Sequence, residues 1–375
     1  MYDYIICGSG LAGSSAARIL ADKGKKVLVL EKLPHVGGSV YDLSDDAGIL
    51  IHKYGPHIFH TNNKEVYDFL SRFTEWNDYQ HRVLAKIGDG YVPVPFNTTA
   101  LENVYGKEKA DELCALLKST YGTDTVSIMT LRSSDIEQLR ELGEYVYRNI
   151  FLYYTMKQWG KSPDEVDPAT TARVPVRLSD DDRYFTDTYQ GMPKNGYTAL
   201  INNMLDHENI TVQVNCAPLT LDFENKQILL NGSEVSSEVI YTGETDRLCK
   251  FMYGKLPYRT LDFVFETLNQ DEYQPCATVN YTVSEDFTRI TEFKKLTSQK
   301  LDGVTTIMKE FPRAYEGKEG EIPYYPVACE ESANLYKKYV EKCKEFKNLH
   351  LLGRLAEYRY YNMDAVVARA LELFK

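Results

Sequence analysis

Tryptophan is scarce in this chain, two in 375 residues, and cysteine follows no pattern. The seven cysteines, at 7, 114, 216, 249, 276, 329 and 343, make no C-x-x-C pair and no zinc spacing. An odd number of unpatterned thiols excludes a disulfide framework and reads as reduced thiols of a cytoplasmic protein. No apolar run approaches the eighteen or so residues that a membrane-spanning helix needs. The N-terminus has neither the basic region nor the cleavage site of a secretory signal. Positive charge is in deficit: 43 Lys and Arg stand against 54 Asp and Glu, a net charge of −11. That balance argues against broad binding to nucleic acid or anionic membranes, and it means that an anionic ligand needs a local group of arginines. There is no nucleophile elbow, no zinc signature and no evident acid/base carboxylate pair. If the chain is an enzyme, a cofactor carries its hard chemistry.

What is present begins at residue 1. Tyr4 to Cys7 reads as a short buried strand, Gly8-Ser9-Gly10-Leu11-Ala12-Gly13 as a G-x-G-x-x-G turn, and Ser14 to Lys23 as a helix. A second strand, Lys26 to Leu30, ends at Glu31. Each part suits a dinucleotide. Gly8 permits the tight turn, Gly10 admits the pyrophosphate close to backbone, and Gly13 lets helix pack on strand. The helix N-terminus offers unpaired N–H groups to phosphate, and Glu31 can accept from ribose hydroxyls. The fingerprint serves NAD and FAD alike.

Hydrophobic periodicity divides the remainder. Val40 to Thr61 reads as loop and hairpin, Lys64 to Phe73 as a helix capped by Asn63, and Tyr79 to Pro95 as a hairpin whose prolines place its second strand at an edge. From Thr98 to Trp159 the pattern is helical, with a capping-box match at Ser134-x-x-Glu137 and a core stripe of Ile136, Leu139, Gly143, Val146 and Ile150. Strands are expected at 210–214, 238–242, 261–265, 277–281 and 288–293, the later ones in an antiparallel sheet. A last helix over Met363 to Phe374 returns to the N-terminal unit. The class is α/β: a Rossmann-like dinucleotide domain (1–75, 190–243 and 345–375), an inserted helical bundle (98–165), and an antiparallel sheet domain (76–97, 166–189 and 244–344).

Four stretches beyond the glycine turn carry chemistry. His57-x-x-His60 has a metal-like spacing only on a helix; Gly55-Pro56 speaks against one and no third ligand lies nearby, so no metal is expected. Phe151, Tyr154 and Trp159 can line a helix end, either as core or as a platform for a flat ring. Arg173-Val-Pro-Val-Arg177 and Arg183-Tyr184 bring arginine beside tyrosine, and arginine meets phosphate oxygens bidentately. The same mixture recurs at Arg289, Tyr324-Tyr325-Pro326 and Gly353-Arg354 through Tyr358, Tyr360 and Asp364.

Together these residues resemble the bacterial UDP-galactopyranose mutases. The similarity runs essentially end to end: the glycine turn, Tyr54-Gly-Pro-His-Ile-Phe-His-Thr61, Tyr154-Thr-x-Lys-Gln-Trp-Gly160, Arg173 to Arg177, Pro323-Tyr-Tyr-Pro326, and Gly353-Arg354 to Met363-Asp364. The resemblance implies an FAD-binding fold and a redox-neutral interconversion of UDP-galactopyranose and UDP-galactofuranose. Reduced FAD would be the covalent nucleophile at the anomeric carbon, and the product would supply cell-surface polysaccharide. By position, Phe151, Tyr154, Thr155 and Trp159 would hold uridine. Arg173, Arg289, Tyr184, Tyr324 or Tyr325, and Tyr360 would grip the diphosphate, with Arg173, Arg289 and His60 assigned to catalysis. FAD would meet Gly8, Gly10, Leu11, Ala12, Gly13, Glu31, Lys32, Gly38, Ser39, His57, Ile58, His60, Val212, Arg354, Tyr361, Met363 and Asp364. A homodimer is expected, with no membrane insertion and no nucleic-acid partner. Ser39 stands where the family usually has asparagine, and Asn362 where it often has aspartate. A flavin amine oxidase, which would share the N-terminal unit, and a non-enzymatic nucleotide-sugar sensor are the competing readings.

Overall fold

The computed structural model describes residues 1–160, 175–216 and 219–374. Its centre is a five-stranded parallel sheet in the order Ile210–Gln213, Val27–Leu30, Tyr4–Cys7, Glu238–Tyr241 and Leu349–Leu351. The three central strands are short and apolar because both of their faces are covered. Ile6, Val27, Val29 and Ile240 pack into one core with helices Leu11–Asp22, Gly196–Leu205 and Met363–Phe374. Their neighbours Ile5, Cys7, Leu28, Leu30, Val239 and Tyr241 face a second core, closed by the hairpin Thr220–Asp222/Gln227–Leu230 and helix Glu330–Cys343. The carboxyl ends of these strands lead into Gly8, Glu31, Thr242 and Gly353, so the loops that form a crevice in such sheets come from distant parts of the chain.

A seven-stranded sheet stands beside it, ordered Tyr325–Pro326, Tyr258–Leu268, Thr305–Ala314, Arg289–Glu292, Thr278–Tyr281, Val83–Ile87 and Gly90–Val94. As its prolines require, Gly90–Val94 is an edge. The sheet is not wholly antiparallel: Thr278–Tyr281 runs parallel to Val83–Ile87. The latter comes from a hairpin nearly two hundred residues upstream, so its direction is not constrained by any turn within the sheet. A smaller sheet of Phe59–Thr61, Tyr189–Pro193 and Trp76–Asn77 links the two regions.

The helical insertion comprises Thr98–Tyr105, Lys107–Tyr121, Ile128–Arg132 and Glu137–Val146. Asn97 starts the first by accepting from the Ala100 N–H, and Asn63 caps Lys64–Ser71 as expected. The capping box at Ser134 does not form. Ser134 Oγ instead accepts from the Ile136 N–H at 3.2 Å, and the helix begins only at Glu137, two residues too late for the box. Past Val146 the helix widens into a π-helical turn, Tyr147–Leu152, and resumes as Tyr153–Trp159. Such a turn inserts a residue into the register, a device common at functional sites. It separates the core-facing Ile150 and Phe151 from a helix in which Tyr153 and Met156 are exposed and Thr155 and Gln158 buried.

Gly143 is where the last two straight helices of the insertion touch. A Cβ there would lie 2.7 Å from both the Arg132 N and the Leu131 Cβ. Gly143→Ala is therefore expected to overpack the contact and cost about 1–3 kcal/mol. Urea unfolding of the variant would show a lowered midpoint, whereas a wild-type midpoint would mean that the helices are not so close.

Candidate functional site

The glycine turn is built by contacts that leave no room for side chains. Gly8 has φ +106°, and a Cβ on it would stand 2.1 Å from Thr242 Oγ1. A Cβ on Gly13 would stand 2.0 Å from the Gly8 carbonyl oxygen. Gly10 is the first residue before helix Leu11–Asp22, and no side chain caps it, so the leading N–H groups remain for an anion. Gly10 pairs with Gly37 as an isolated bridge, and Gly38 comes so near that a Cβ on it would lie 3.0 Å from Gly10 Cα. Gly353, φ +100°, closes the cradle against Ala12. These features fit a dinucleotide pyrophosphate.

Glu31 turns out to be a brace as well as a potential ribose partner. Its Oε2 accepts from the Ser9 N–H (2.9 Å) and Oγ (2.7 Å), and its Oε1 accepts from the Leu33 N–H (2.9 Å). The carboxylate thus fixes the turn between Gly8 and Gly10, with lone pairs left for further donors. Lys32 and Ser39 are exposed nearby, and Val212 lies opposite Val29 in the edge strand. Asp364, in the first turn of the last helix, accepts from Thr61 Oγ1 at 2.9 Å, joining that helix to the His57–Thr61 segment. Met363 and Tyr361 pack against the main core, as does Ile58.

His57 and His60 do not share a helix. His60 lies in the strand Phe59–Thr61, stacked on Phe185 with ring centroids 3.6 Å apart, and its Nδ1 is 3.0 Å from Asp187 Oδ2. The half-buried His57 bonds the Gly55 carbonyl through Nδ1, at 2.8 Å. Removal from water pulls His57 and the neighbouring His52 down to about 3, so both are neutral at physiological pH.

The arginine and tyrosine segments converge. Arg289 Nη2 donates to the Tyr154 hydroxyl at 2.8 Å, while its Nε lies 3.3 Å from Glu310 Oε2. Arg289 and Glu310 are paired across adjacent strands, and the Glu310 side chain is 2% exposed. Burial opposes the guanidinium charge, but Glu310 and the surrounding tyrosine oxygens more than offset it. Burial raises Glu310, with Arg289 pulling the other way. The Tyr154 hydroxyl is lifted to about 12 by burial and stays neutral. Trp159, Tyr325, Tyr360 and Tyr324 form a chain of rings: Trp159 to Tyr325 6.3 Å, Tyr325 to Tyr360 5.7 Å, Tyr324 to Tyr325 6.3 Å. Arg354 lies over the Tyr360 ring at 5.0 Å and donates to the Tyr361 carbonyl at 2.8 Å. Tyr184 stands edge-on to Phe185 and His81. Thr155 is buried in the same helix as Tyr154, whereas Phe151 faces the helical core against Tyr147. Arg173 lies outside the described residues.

Several residues at this site escape a reading of the sequence. His81, Phe185 and Asp187 gather around His60 and Tyr184. Asn280 sits opposite Arg289 in the neighbouring strand, its Oδ1 buried and without a hydrogen-bond partner; Arg289 Nε and Glu310 Oε1 likewise make no hydrogen bond, the contact of Nε with Glu310 Oε2 being ionic. Of these only Phe185 carried a signal, as the end of the Asp181-Asp182-Arg183-Tyr184-Phe185 run that also holds Tyr184.

Comparison with known proteins matches this arrangement. Residues 149–360 fit the family model described as UDP-galactopyranose mutase, and residues 6–73 fit that of an NAD(P)-binding Rossmann-like domain. A UDP-galactopyranose mutase of Mycoplasma genitalium is 36% identical over 99% of this chain and 93% of its own length. The chain belongs to the UDP-galactopyranose mutase family. The dTDP-fucopyranose mutase of Escherichia coli is 34% identical over 99% of this chain and 97% of its own. A crystal structure of a reduced UDP-galactopyranose mutase shares the fold, with TM-score 0.74 over 100% of this chain and 93% of that one at 17% identity. Among the described residues no helix is long and apolar enough to cross a membrane.

The buried pair yields a pH prediction. Arg289→Met leaves Glu310 without its cation, so the folded carboxyl, already raised by burial, rises further. The folded variant then keeps a proton that the unfolded chain releases in the ordinary carboxylate range. Its stability is highest below that range and is lost as pH climbs through the raised value. Urea unfolding should show a loss against wild type of about 3–5 kcal/mol at neutral pH and a smaller one at about pH 5. Equal losses at both would show that Glu310 does not depend on Arg289.

Proposed function

We propose that this enzyme interconverts UDP-galactopyranose and UDP-galactofuranose on reduced FAD. The observation that carries the reading is the meeting of Arg289 and Arg354 with Tyr154, Trp159, Tyr324, Tyr325 and Tyr360 beside a glycine cradle fit for a dinucleotide. An acidic chain has here assembled the cations and neutral donors that a nucleoside diphosphate requires. When bound and reduced, FAD supplies the nucleophile for the anomeric carbon, which accounts for the want of a side-chain nucleophile.

In this reading Gly8, Gly10, Leu11, Ala12, Gly13 and Gly38 take the pyrophosphate of FAD, and Glu31 uses its remaining lone pairs on the adenosine ribose. His57, His60 and Ile58 would lie by the flavin ring, and Arg354, Met363 and Asp364 would complete the FAD site. The neutral His57 adds no charge there. Tyr154, Thr155 and Trp159 hold the uridine. Arg289 and Arg173 grip the diphosphate, helped by Tyr184, Tyr324 or Tyr325, and Tyr360. Phe151 supports the uridine subsite from the core side. The division into dinucleotide, helical and sheet domains, a homodimer, a cytoplasmic location and a role in supplying galactofuranose for surface polysaccharide belong to the same proposal.

The Escherichia coli relative makes dTDP-fucose a second substrate to assay. Purified protein, kept anaerobic, should convert UDP-galactofuranose to UDP-galactopyranose only when dithionite has reduced its flavin. Conversion of the dTDP-linked sugar alone would move the chain to the other specificity, and failure with both on a reducible flavin would favour an oxidase. Arg289→Ala and Arg173→Ala should nearly abolish turnover while FAD remains bound; wild-type turnover in either would refute its place on the diphosphate. Trp159→Ala should chiefly weaken UDP binding, as read by titration.

A further inference from the structure

Two cations to which the proposed reaction gives no task meet on the short helix Tyr153–Trp159. Lys157 Nζ donates to three main-chain carbonyls, those of Tyr281 (2.6 Å), Glu285 (2.9 Å) and Phe287 (3.0 Å). All three belong to the connection that leaves strand Thr278–Tyr281 and delivers Arg289 to the site. At the helix's carboxyl end, Arg259 Nε donates to the Gln158 carbonyl (2.9 Å) and Nη2 to that of Lys157 (3.1 Å). Gly160 follows with φ +64°, and a Cβ on it would lie 2.9 Å from Arg259 Nη1. Arg259 is buried, is paired with Tyr325 in the sheet, and accepts the Tyr324 N–H at its own carbonyl (2.9 Å).

The helix that carries Tyr154, Thr155 and Trp159 is thus tied on one side to the loop that leads to Arg289 and on the other to Arg259, whose backbone pairs with the Tyr324–Tyr325 segment. The chemistry of each tie is specific. A tetrahedral ammonium offers three donors and meets three carbonyls, which a planar guanidinium does not match. A guanidinium fork meets two successive carbonyls at a helix end, where a cation is also favoured by the helix dipole. These charge-assisted bonds are the strong kind.

We propose that Lys157 and Arg259 are positioning residues, which set the distance and angle between the Tyr154–Trp159 face and the Arg289 and Tyr325 face before any ligand arrives. Preorganisation of this sort removes the ordering cost from binding. The proposal rests on the nucleotide-sugar reading of the site, and its test separates the two.

The test uses the full-length holoprotein carrying Trp76→Phe, so that Trp159 is the single tryptophan, with UDP as the probe and dTDP beside it. Lys157→Met in this background should weaken UDP binding by about tenfold or more. Without ligand it should raise the acrylamide quenching of Trp159, while the flavin spectrum and FAD content stay those of the parent. Lys157→Arg should not restore the affinity. By calorimetry, Lys157→Met combined with Trp159→Ala should bind more tightly than the product of the two single losses implies, because Lys157 acts in part through Trp159. UDP affinity within twofold of the parent, unchanged quenching, or losses that multiply independently would each overturn the proposal. So would joint loss of FAD and UDP, the mark of a merely structural residue. If Lys157→Met does not fold, Arg259→Lys, which keeps the charge and loses the fork, should show the same quenching and weakened UDP binding with FAD retained. A parent that binds neither UDP nor dTDP would refute the reading of the site, and the ligand-free quenching would then decide the clamp by itself.

Discussion

Arg289 and Glu310 face each other on adjacent strands, a largely buried cation beside a fully buried carboxyl, in a protein whose net charge is −11. Taking such a pair out of solvent costs several kcal/mol per ion, and mutual attraction repays it only when geometry is good. The pair is therefore a poor source of stability and a good source of position. Glu310 draws on the Nε side of the guanidinium, and the Tyr154 hydroxyl accepts from Nη2. A guanidinium held from two sides has its plane fixed, which is what bidentate recognition of a phosphate demands. Tyr154, which accepts the Nη2 bond, lies on the same helix as Trp159.

The local parts of this design were legible. The strand, glycine turn, helix and second strand are contiguous in sequence, and each glycine there answers to a contact: Gly8 with Thr242, Gly13 with Gly8, Gly38 with Gly10. The arginine and tyrosine segments could be singled out because their composition is unusual for an acidic chain, although nothing local said that they would meet. What stayed hidden was set by pairing register. Asn280 stands across from Arg289, and Glu310 across from Arg289 on its other side, only because three strands align as they do. The stack of Phe185 on His60, with Asp187 at the imidazole, depends on Tyr189–Pro193 pairing with Phe59–Thr61. The Ser134 capping box shows the opposite failure, in which a good local motif lost to a tighter turn of the same serine.

Glu31 illustrates how one residue can satisfy two demands. A carboxylate at the end of the second strand is expected to face a ribose, yet here it first braces Ser9 and Leu33. Each oxygen has more than one acceptor direction, so the two uses are compatible. The brace keeps the turn in shape in a stretch where glycine makes the backbone permissive and entropy would otherwise favour disorder. Position and binding are then linked, since the carboxylate holds the very backbone that would face the pyrophosphate.

The tyrosines gathered at the candidate site answer the same electrostatic problem. In a mostly acidic molecule, more arginines around a diphosphate would each require a buried counter-charge like Glu310, and every such pair carries its own desolvation cost. Tyrosine supplies a donor without a charge. Burial raises the hydroxyls of Tyr154, Tyr324 and Tyr325, so they remain protonated where an ionised phenolate would repel phosphate. Their rings also pack against each other and against Trp159, and Arg354 lies over Tyr360 and Tyr325. The proposed pocket thus combines a few oriented cations with many neutral donors. Such a frame recognises a diphosphate and a flat base while saying little about the sugar between them. Relatives named for UDP-galactopyranose and for dTDP-fucopyranose stand at nearly equal identity to this chain, 36% and 34%.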